Sequence, residues 1–246
     1  MRKSLILVVF IALKFIVVAQ VSEVGVALGG AVYNGTIDIT LNNFLPQTTP
    51  FFGVFGKYRI NDVVFVRAQI SHTELYADEK KYPSSDWRFQ RGLNFKTPLN
   101  ELIIAGEWHF FSFGEALSNT SSLKQYSFYA LGGVGATNFT PRPLADGNNV
   151  PDTFLSSTEL QTNNKTTLVI PVGIGARYMF SNNLALSGEI IGRKSFSSYL
   201  DGLRAITSNR DDYYFSGGIS IAYVFSNNSK NRSNNSKNFG SNCPKF

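Results

Sequence analysis

Few residues in this chain are of types that do chemistry. Its histidines are His72 and His109 and its single cysteine is Cys243. No His/Cys cluster exists that could close a structural zinc site, and one cysteine cannot form an internal disulfide. Ser71-His72-Thr73-Glu74 contains a hydroxyl, a base and an acid, the residue types of a nucleophilic set such as a membrane lipid hydrolase would need. Neighbouring side chains on a strand point to opposite faces, so Ser71 and His72 cannot partner each other. Polar residues at a strand end are the plainer reading. Gly132-Gly133-Val134-Gly135 is not a phosphate loop, because it lies within a strand pattern with no helix behind it. The remaining candidates are ions: Lys57, Arg59, Arg67, Glu101, Glu107, Arg177, Glu189 and Arg193. The reading is of a non-enzyme without a cofactor.

Those ions are positioned by strands. Apolar and small or polar residues alternate with period two. In the segment from Tyr213 to Phe225, one face reads Tyr213, Phe215, Gly217, Ile219, Ile221, Tyr223, Phe225, and the other Tyr214, Ser216, Gly218, Ser220, Ala222, Val224. Eight such segments are predicted: 24–34, 51–60, 63–76, 100–112, 126–139, 167–180, 184–197 and 213–225. Most have the ten or so residues that a tilted strand needs to cross a membrane. Connections alternate in length. Asn61-Asp62 and Ser181-Asn182-Asn183 are tight and 114–125 is intermediate, whereas 35–50, 77–99, 140–166 and 198–212 are long. Short turns at one end and long loops at the other characterise an outer-membrane barrel.

A secreted β-sandwich alternates too, but it buries its apolar face. Two features favour the barrel. Aromatics recur at strand ends (Phe52, Tyr58, Trp108, Phe110, Tyr178, Phe180, Tyr213, Phe225), as interfacial girdles require. The opposite face carries the ions named above, which a dry sandwich core would accommodate only at heavy desolvation cost. The fold class is therefore all-β: an eight-stranded antiparallel transmembrane barrel. Eight strands leave an interior about wide enough for side chains to fill. Arg59, Arg67, Glu101, Glu107, Arg177, Glu189 and Arg193 are expected to pair there as a structural charge network that closes the lumen.

The chain ends read differently. Arg2 and Lys3 precede an apolar stretch, Ser4 to Val18, interrupted only by Lys14, and Val17 and Ala19 supply small residues before Gln20. Residues 1–19 thus read as a signal peptide, 20–225 as the barrel and 226–246 as a tail. The formal net charge of +6 belongs to the ends: without Arg2, Lys3, Lys14, Lys230, Arg232, Lys237 and Lys245 it becomes −1. A nucleic-acid partner is therefore not indicated, despite a pI near 9.4. Of the tail's 21 residues 12 are Asn or Ser, too few apolar groups for a core, so disorder is expected. An even strand count puts both ends in the periplasm. There Lys230, Arg232, Lys237 and Cys243 are candidate partner-binding residues, the odd thiol pointing to an intermolecular disulfide.

Several strings resemble the PorG-like outer-membrane barrels of the type IX secretion system. They are Glu23-Val24-Gly25 with Gly29-Gly30 and Tyr33-Asn34-Gly35, then Arg91-Gly92-Leu93-Asn94-Phe95 followed by Glu101 and Glu107. Pro171-Val172-Gly173-Ile174-Gly175 comes next, then Glu189, Arg193, Phe196 and Tyr199-Leu200-Asp201, and the closing Cys243-Pro244-Lys245-Phe246. The chain departs from that family's pattern at Thr36-Ile37 before Asp38 and at Ser197-Ser198 and Gly202 around Tyr199-Leu200-Asp201. The resemblance implies a non-enzymatic part of a secretion machine, associated with a PorK-like lipoprotein and a PorN-like protein of the periplasmic rings. Other readings stay open: a small barrel that binds a solute or lipid, or an adhesin acting through loop 140–166.

Overall fold

The structure is a computed structural model of the 246-residue chain. It describes residues 21–34, 47–86, 89, 92–114, 125–145, 158–160, 162–205 and 211–225. The leader 1–19 and the tail with Lys230, Arg232, Lys237 and Cys243 lie outside the described residues.

Among the described residues there are eleven strands: β1 (Val21–Asn34), β2 (Thr49–Arg59), β3 (Val64–Asp78), β4 (Leu93–Phe113), β5 (Tyr126–Phe139), β6 (Pro143–Ala145), β7 (Thr158–Leu160), β8 (Lys165–Ser181), β9 (Leu184–Ser195), β10 (Leu203–Ala205) and β11 (Tyr213–Val224). β1–β5, β8, β9 and β11 pair antiparallel with their neighbours, and β3 pairs with β4 to close the ring. This is the expected eight-stranded barrel. Closure matters physically, because an open sheet edge in hydrocarbon would leave backbone groups unpaired. The three-residue β6 adds to the long-loop end of β4, while β7 and β10 pair with each other.

Each short turn is held by an asparagine. Asn61 Oδ1 accepts the amides of Val63 (3.0 Å) and Val64 (2.8 Å). Asn183 donates its side-chain N–H to the Val224 carbonyl at 2.9 Å.

Outward side chains are apolar along the middle of every barrel strand. On β8 they run Leu168, Ile170, Val172, Ile174, Ala176 and Tyr178. At ~3.3 Å per residue and a tilt of ~40°, that run rises roughly 25 Å, the height of a membrane-facing band. Above it the outward face turns polar along the register His72–Asn100–Asn138–Thr166. Here His72 contacts Asn100 at 2.8 Å and Asn138 donates to Thr166 Oγ1 at 3.1 Å.

β3 and β4 continue beyond that line, β3 to Asp78 and β4 from Leu93. Their connection is consequently shorter than the expected 77–99. Outside the band the outward face turns polar, as at Glu74, Tyr76 and Lys96, while inward Leu75, Ala77, Leu93 and Phe95 stay apolar and buried, so the outward-apolar pattern of a lipid-facing strand ends there. A bulge between His109 and Phe111 sets both Phe110 and Phe111 outward. The alternation expected across 100–112 therefore breaks at its end.

Two adjacent glycines of β5 separate backbone need from surface choice. A Cβ on Gly133 would lie 2.2 Å from the Ile104 carbonyl oxygen, whereas one on Gly132 would meet nothing within 4 Å. Gly133→Val is expected to cost at least about 3 kcal/mol through overpacking against backbone and to prevent folding into the compact, heat-modifiable form seen on unheated SDS gels. Gly132→Val is expected to fold like the parent in the same assay.

Candidate functional site

The lumen is bridged from wall to wall by ion pairs. Arg67 of β3 is the centre. Its guanidinium donates from Nη1 and Nη2 to the two carboxylate oxygens of Glu189 on β9, at 2.7 and 2.8 Å, and from Nη1 to Glu107 of β4 at 3.2 Å. Lys57 of β2 donates to the other Glu107 oxygen at 2.7 Å. Tyr129 of β5 donates to Glu189 at 2.8 Å, and Gln69 bonds the far side of the Arg67 fork. The Phe55 ring lies 4.4 Å from the guanidinium carbon, replacing water on that face with an attractive π surface.

Nearer the long loops, Arg193 Nε donates to Glu101 Oε1 at 2.8 Å and its Nη1 to Ser216 at 2.7 Å. Glu101 also accepts from Ser71 at 3.2 Å, from Thr137 at 3.4 Å, and closely from Tyr214. Nearer the short turns, Arg177 lies 2.8 Å from Glu23. None of its N–H bonds points along a hydrogen-bond direction there, so this pair has attraction without directed bonding. His109 contacts Ser127 at 3.1 Å.

Between the strands the buried ions are thus Lys57, Arg67, Arg177 and Arg193 against Glu23, Glu101, Glu107 and Glu189. The signs balance, as burial demands where each unpaired ion would carry its full desolvation penalty.

Six of the seven ions expected in the lumen, Arg67, Glu101, Glu107, Arg177, Glu189 and Arg193, lie there. Arg59 does not: it sits at the rim, one-third exposed, and pairs with Asp62 of the Asn61-Asp62 turn. Its strand parity is inward, but it is the last residue of β2 and water reaches it. Glu23 was missed as a lumen ion. Its only signal is the inward parity it shares with Gly25 and Ala27 on β1, and one acid near a strand start does not reveal its partner on β8.

Towards the long loops the lumen is closed by an apolar cluster that includes Tyr33, Phe51, Leu75, Phe95, Phe139 and Leu200. Leu200 belongs to the loop after β9 and is fully buried. A clamp holds it in place. Thr97 donates to the Leu200 carbonyl (2.7 Å), and the Leu200 amide donates to Asp212 (2.8 Å). The Tyr33 hydroxyl lies 2.9 Å from Asp201 and 2.7 Å from Asp212. Sequence reading placed Asp201 in a motif but gave no sign that Asp212 and Tyr33 meet it.

Ser71 faces the lumen and His72 faces outward, so the Ser71-His72-Thr73-Glu74 run assembles no nucleophilic pair. Among the described residues, no group of three or more His, Cys, Asp or Glu is placed to hold a metal.

A closed ring of eight antiparallel strands, an apolar band outside and balanced ions within, define a small outer-membrane β-barrel. The fold is similar to that of neisserial surface protein A, with a TM-score of 0.50 at 11% identity, covering 82% of this chain and 96% of that one. Ail of Yersinia pestis, crystallised with the heparin analogue sucrose octasulfate, gives a TM-score of 0.44 at 11% identity over 83% of this chain and 97% of its own. The N-terminal β-barrel domain of Pseudomonas aeruginosa OprF gives 0.42 at 13% identity over 83% and 98%. No curated protein matches the sequence. The chain belongs to the family described as Domain of unknown function (DUF6089), whose model matches residues 2–233.

Two predictions follow from the geometry. Arg67→Met leaves Glu107 and Glu189 short of their shared cation and is expected to cost about 3–5 kcal/mol, the range for breaking a buried pair by removing one partner. Arg177→Met removes the cation paired with buried Glu23 and is expected to cost a similar amount. Urea unfolding in lipid vesicles measures both.

The second concerns the clamp. Asp212 lies outside the barrel strands. Burial first, and then the Asp201 charge, with a smaller push from Asp211, raise its carboxyl to about 8, against the stabilising bonds from Tyr33 and the Leu200 amide. Asp211 itself pairs with Lys194 at 3.2 Å. An ordinary Asp titrates near ~3.9, so between roughly pH 4 and 8 the closed clamp retains a proton that an opened one releases. The clamp therefore weakens as pH rises through that window and levels off above it. Hydrogen exchange at the Leu200 amide, corrected for the intrinsic pH dependence of exchange, is expected to lose protection from pH 5 to 9. In Asp212→Asn the corrected protection is expected to stay flat.

Proposed function

We propose that this protein is a non-enzymatic anchoring component of a type IX protein secretion machine. In this reading the barrel sits in the bacterial outer membrane with both termini and the short turns in the periplasm, and it docks ring proteins, a PorK-like lipoprotein and a PorN-like protein. The observation that carries the reading is the lumen. A channel that the Arg67 fork spans and Leu200 caps offers no path to a solute, so the working parts of the molecule are its surfaces and its ends. The resemblance of its strings, from Glu23 to Cys243-Pro244-Lys245-Phe246, to PorG-like barrels supplies the machine. Lys230, Arg232 and Lys237 give the tail the charge to approach an acidic ring surface, and Cys243 gives it a thiol for a mixed disulfide there.

The test is a non-reducing gel of protein extracted gently from native outer membranes, run beside its reduced twin. The expected result is a larger band that collapses on reduction, is absent in Cys243→Ser, and contains a ring protein by mass. Deletion of the gene is expected to abolish export by the machine. A lone monomer band together with unimpaired export would overturn the secretion role while leaving the barrel unaffected.

A further inference from the structure

One hydroxyl at the mouth of the barrel meets two acids. The Tyr33 oxygen lies 2.9 Å from Asp201 Oδ2 and 2.7 Å from Asp212 Oδ1, and all three residues are buried. A tyrosine hydroxyl has a single proton to donate. It satisfies one carboxylate, so the second contact is a hydrogen bond only when a carboxyl carries a proton and donates it to the tyrosine oxygen. With both acids ionised, that contact would set lone pairs against each other between like charges, which a buried site disfavours. The closed arrangement therefore holds one proton beyond the tyrosine's own, shared by the Asp201–Asp212 pair.

Among the described residues, the charged groups around the site have partners of their own. Asp211, next to Asp212, pairs with Lys194 of β9 at 3.2 Å. Lys165 of β8 lies over the Tyr199 ring, 4.3 Å from its centroid. Below, Arg193 of β9 and Glu101 of β4 pair with each other at 2.8 Å. β1 and β4 meet the site with the neutral hydroxyls of Tyr33 and Thr97.

The same acids are where the long loops attach. Asp212 Oδ2 accepts the Leu200 amide at 2.8 Å, and Thr97 donates to the Leu200 carbonyl at 2.7 Å. The Gly202 amide then closes a turn on the Tyr199 carbonyl at 3.0 Å, with Gly202 at φ +80°. Directly after this turn comes β10, which pairs with β7 of the other long loop. Two strands of three residues do not form a stable sheet alone in water. Their pairing therefore depends on the anchored turn, and through it on the Tyr33 contacts.

We propose that Tyr33, Asp201 and Asp212 form a proton-operated latch that holds the two long loops, through the β7–β10 sheet, on the mouth of the barrel. With the shared proton in place the latch is closed. When the proton leaves, Leu200 and the β7–β10 sheet come away together. The ion pairs of Arg193 and Arg67 lie deeper and keep their partners, so the lumen stays shut and only the surface that the barrel presents is changed. In the orientation proposed above, that surface faces the cell exterior. The latch is otherwise independent of the secretion role and is tested separately from it. Its direction follows from the Asp212 carboxyl, raised to about 8 from the ~3.9 of an ordinary Asp: it holds in acid and releases towards alkali.

Hydrogen exchange of the full-length protein in phospholipid vesicles, from pH 5 to 9 and corrected for intrinsic rates, tests the proposal. Protection at Leu200 and at Leu203–Ala205 is expected to fall in step, about tenfold per pH unit for one released proton, until about pH 8. Amides in the middle of β8 are expected to keep theirs. Asp212→Asn and Asp201→Asn are expected to stay latched, because a side-chain amide donates to the tyrosine oxygen as a protonated carboxyl does. At pH 9 each is expected to protect β10 about a thousandfold better than the parent. Unheated gel mobility verifies folding, and if one variant fails to fold the other decides. The proposal is overturned by β10 protection that ignores pH, by a change at Leu200 that leaves β10 unmoved, by Asn variants with the parent's slope, or by β8 amides that open over the same range.

Discussion

The middle of this barrel is organised around the Arg67 guanidinium. It is fully buried and reaches from its own strand to Glu107 on the neighbouring strand and Glu189 on the far wall. A planar fork can satisfy two carboxylates in fixed geometry, which a lysine ammonium cannot. Once Arg67 occupies the axis, the rest of the lumen has little freedom. Glu107 binds a second cation, Lys57, through its other oxygen; Glu189 Oε2, already bonded to Arg67, also accepts from the Tyr129 hydroxyl. Tyr129 in turn fits only because Gly175 opposes it, since a Cβ there would lie 2.4 Å from the ring. The small residues of the inner face are thus set by the large ones.

The same arrangement explains how a membrane protein of this size encloses so many ions. A lipid-facing barrel has an apolar exterior by necessity, so its interior cannot be organised by the hydrophobic effect alone. The structure divides the task. Around the middle, opposite charges meet in pairs; towards the long loops, Tyr33, Phe51, Phe95, Phe139 and Leu200 form an ordinary apolar core. The boundary between the two zones falls at Tyr214, which packs in the apolar cluster and bonds Glu101. The capping loop is fixed by an arrangement that buries Leu200 while giving its amide and carbonyl partners, and that arrangement draws two carboxyls around one hydroxyl.

Sequence periodicity carried the middle of each strand and failed where the membrane stops. The segment 126–139 coincides with Tyr126–Phe139. β3 and β4 outrun their expected limits because beyond the membrane their outward residues turn polar and the apolar face moves inward, to Leu75, Ala77, Leu93 and Phe95. The lumen charges were legible because parity alone separates inside from outside, and a charge at an inward position has few other homes. Arg59 shows the limit of that rule: parity gives a direction but not a depth. The pairing of Arg67 with Glu189 was not legible, since residues 122 apart in sequence meet only through the closure of the ring.

The glycines carry the least legible information. Gly132 and Gly133 are identical in sequence and opposite in role, one facing open lipid and the other pressed against the Ile104 carbonyl. An inward glycine is explained by what it lets approach, which in this barrel is backbone or an aromatic ring. An outward glycine with free space around it has no such explanation within the protein, because every neighbour that could need the room is already placed. Gly106, Gly132 and Gly188 share that freedom, so it marks a part of the exterior that the protein's own packing leaves unspecified.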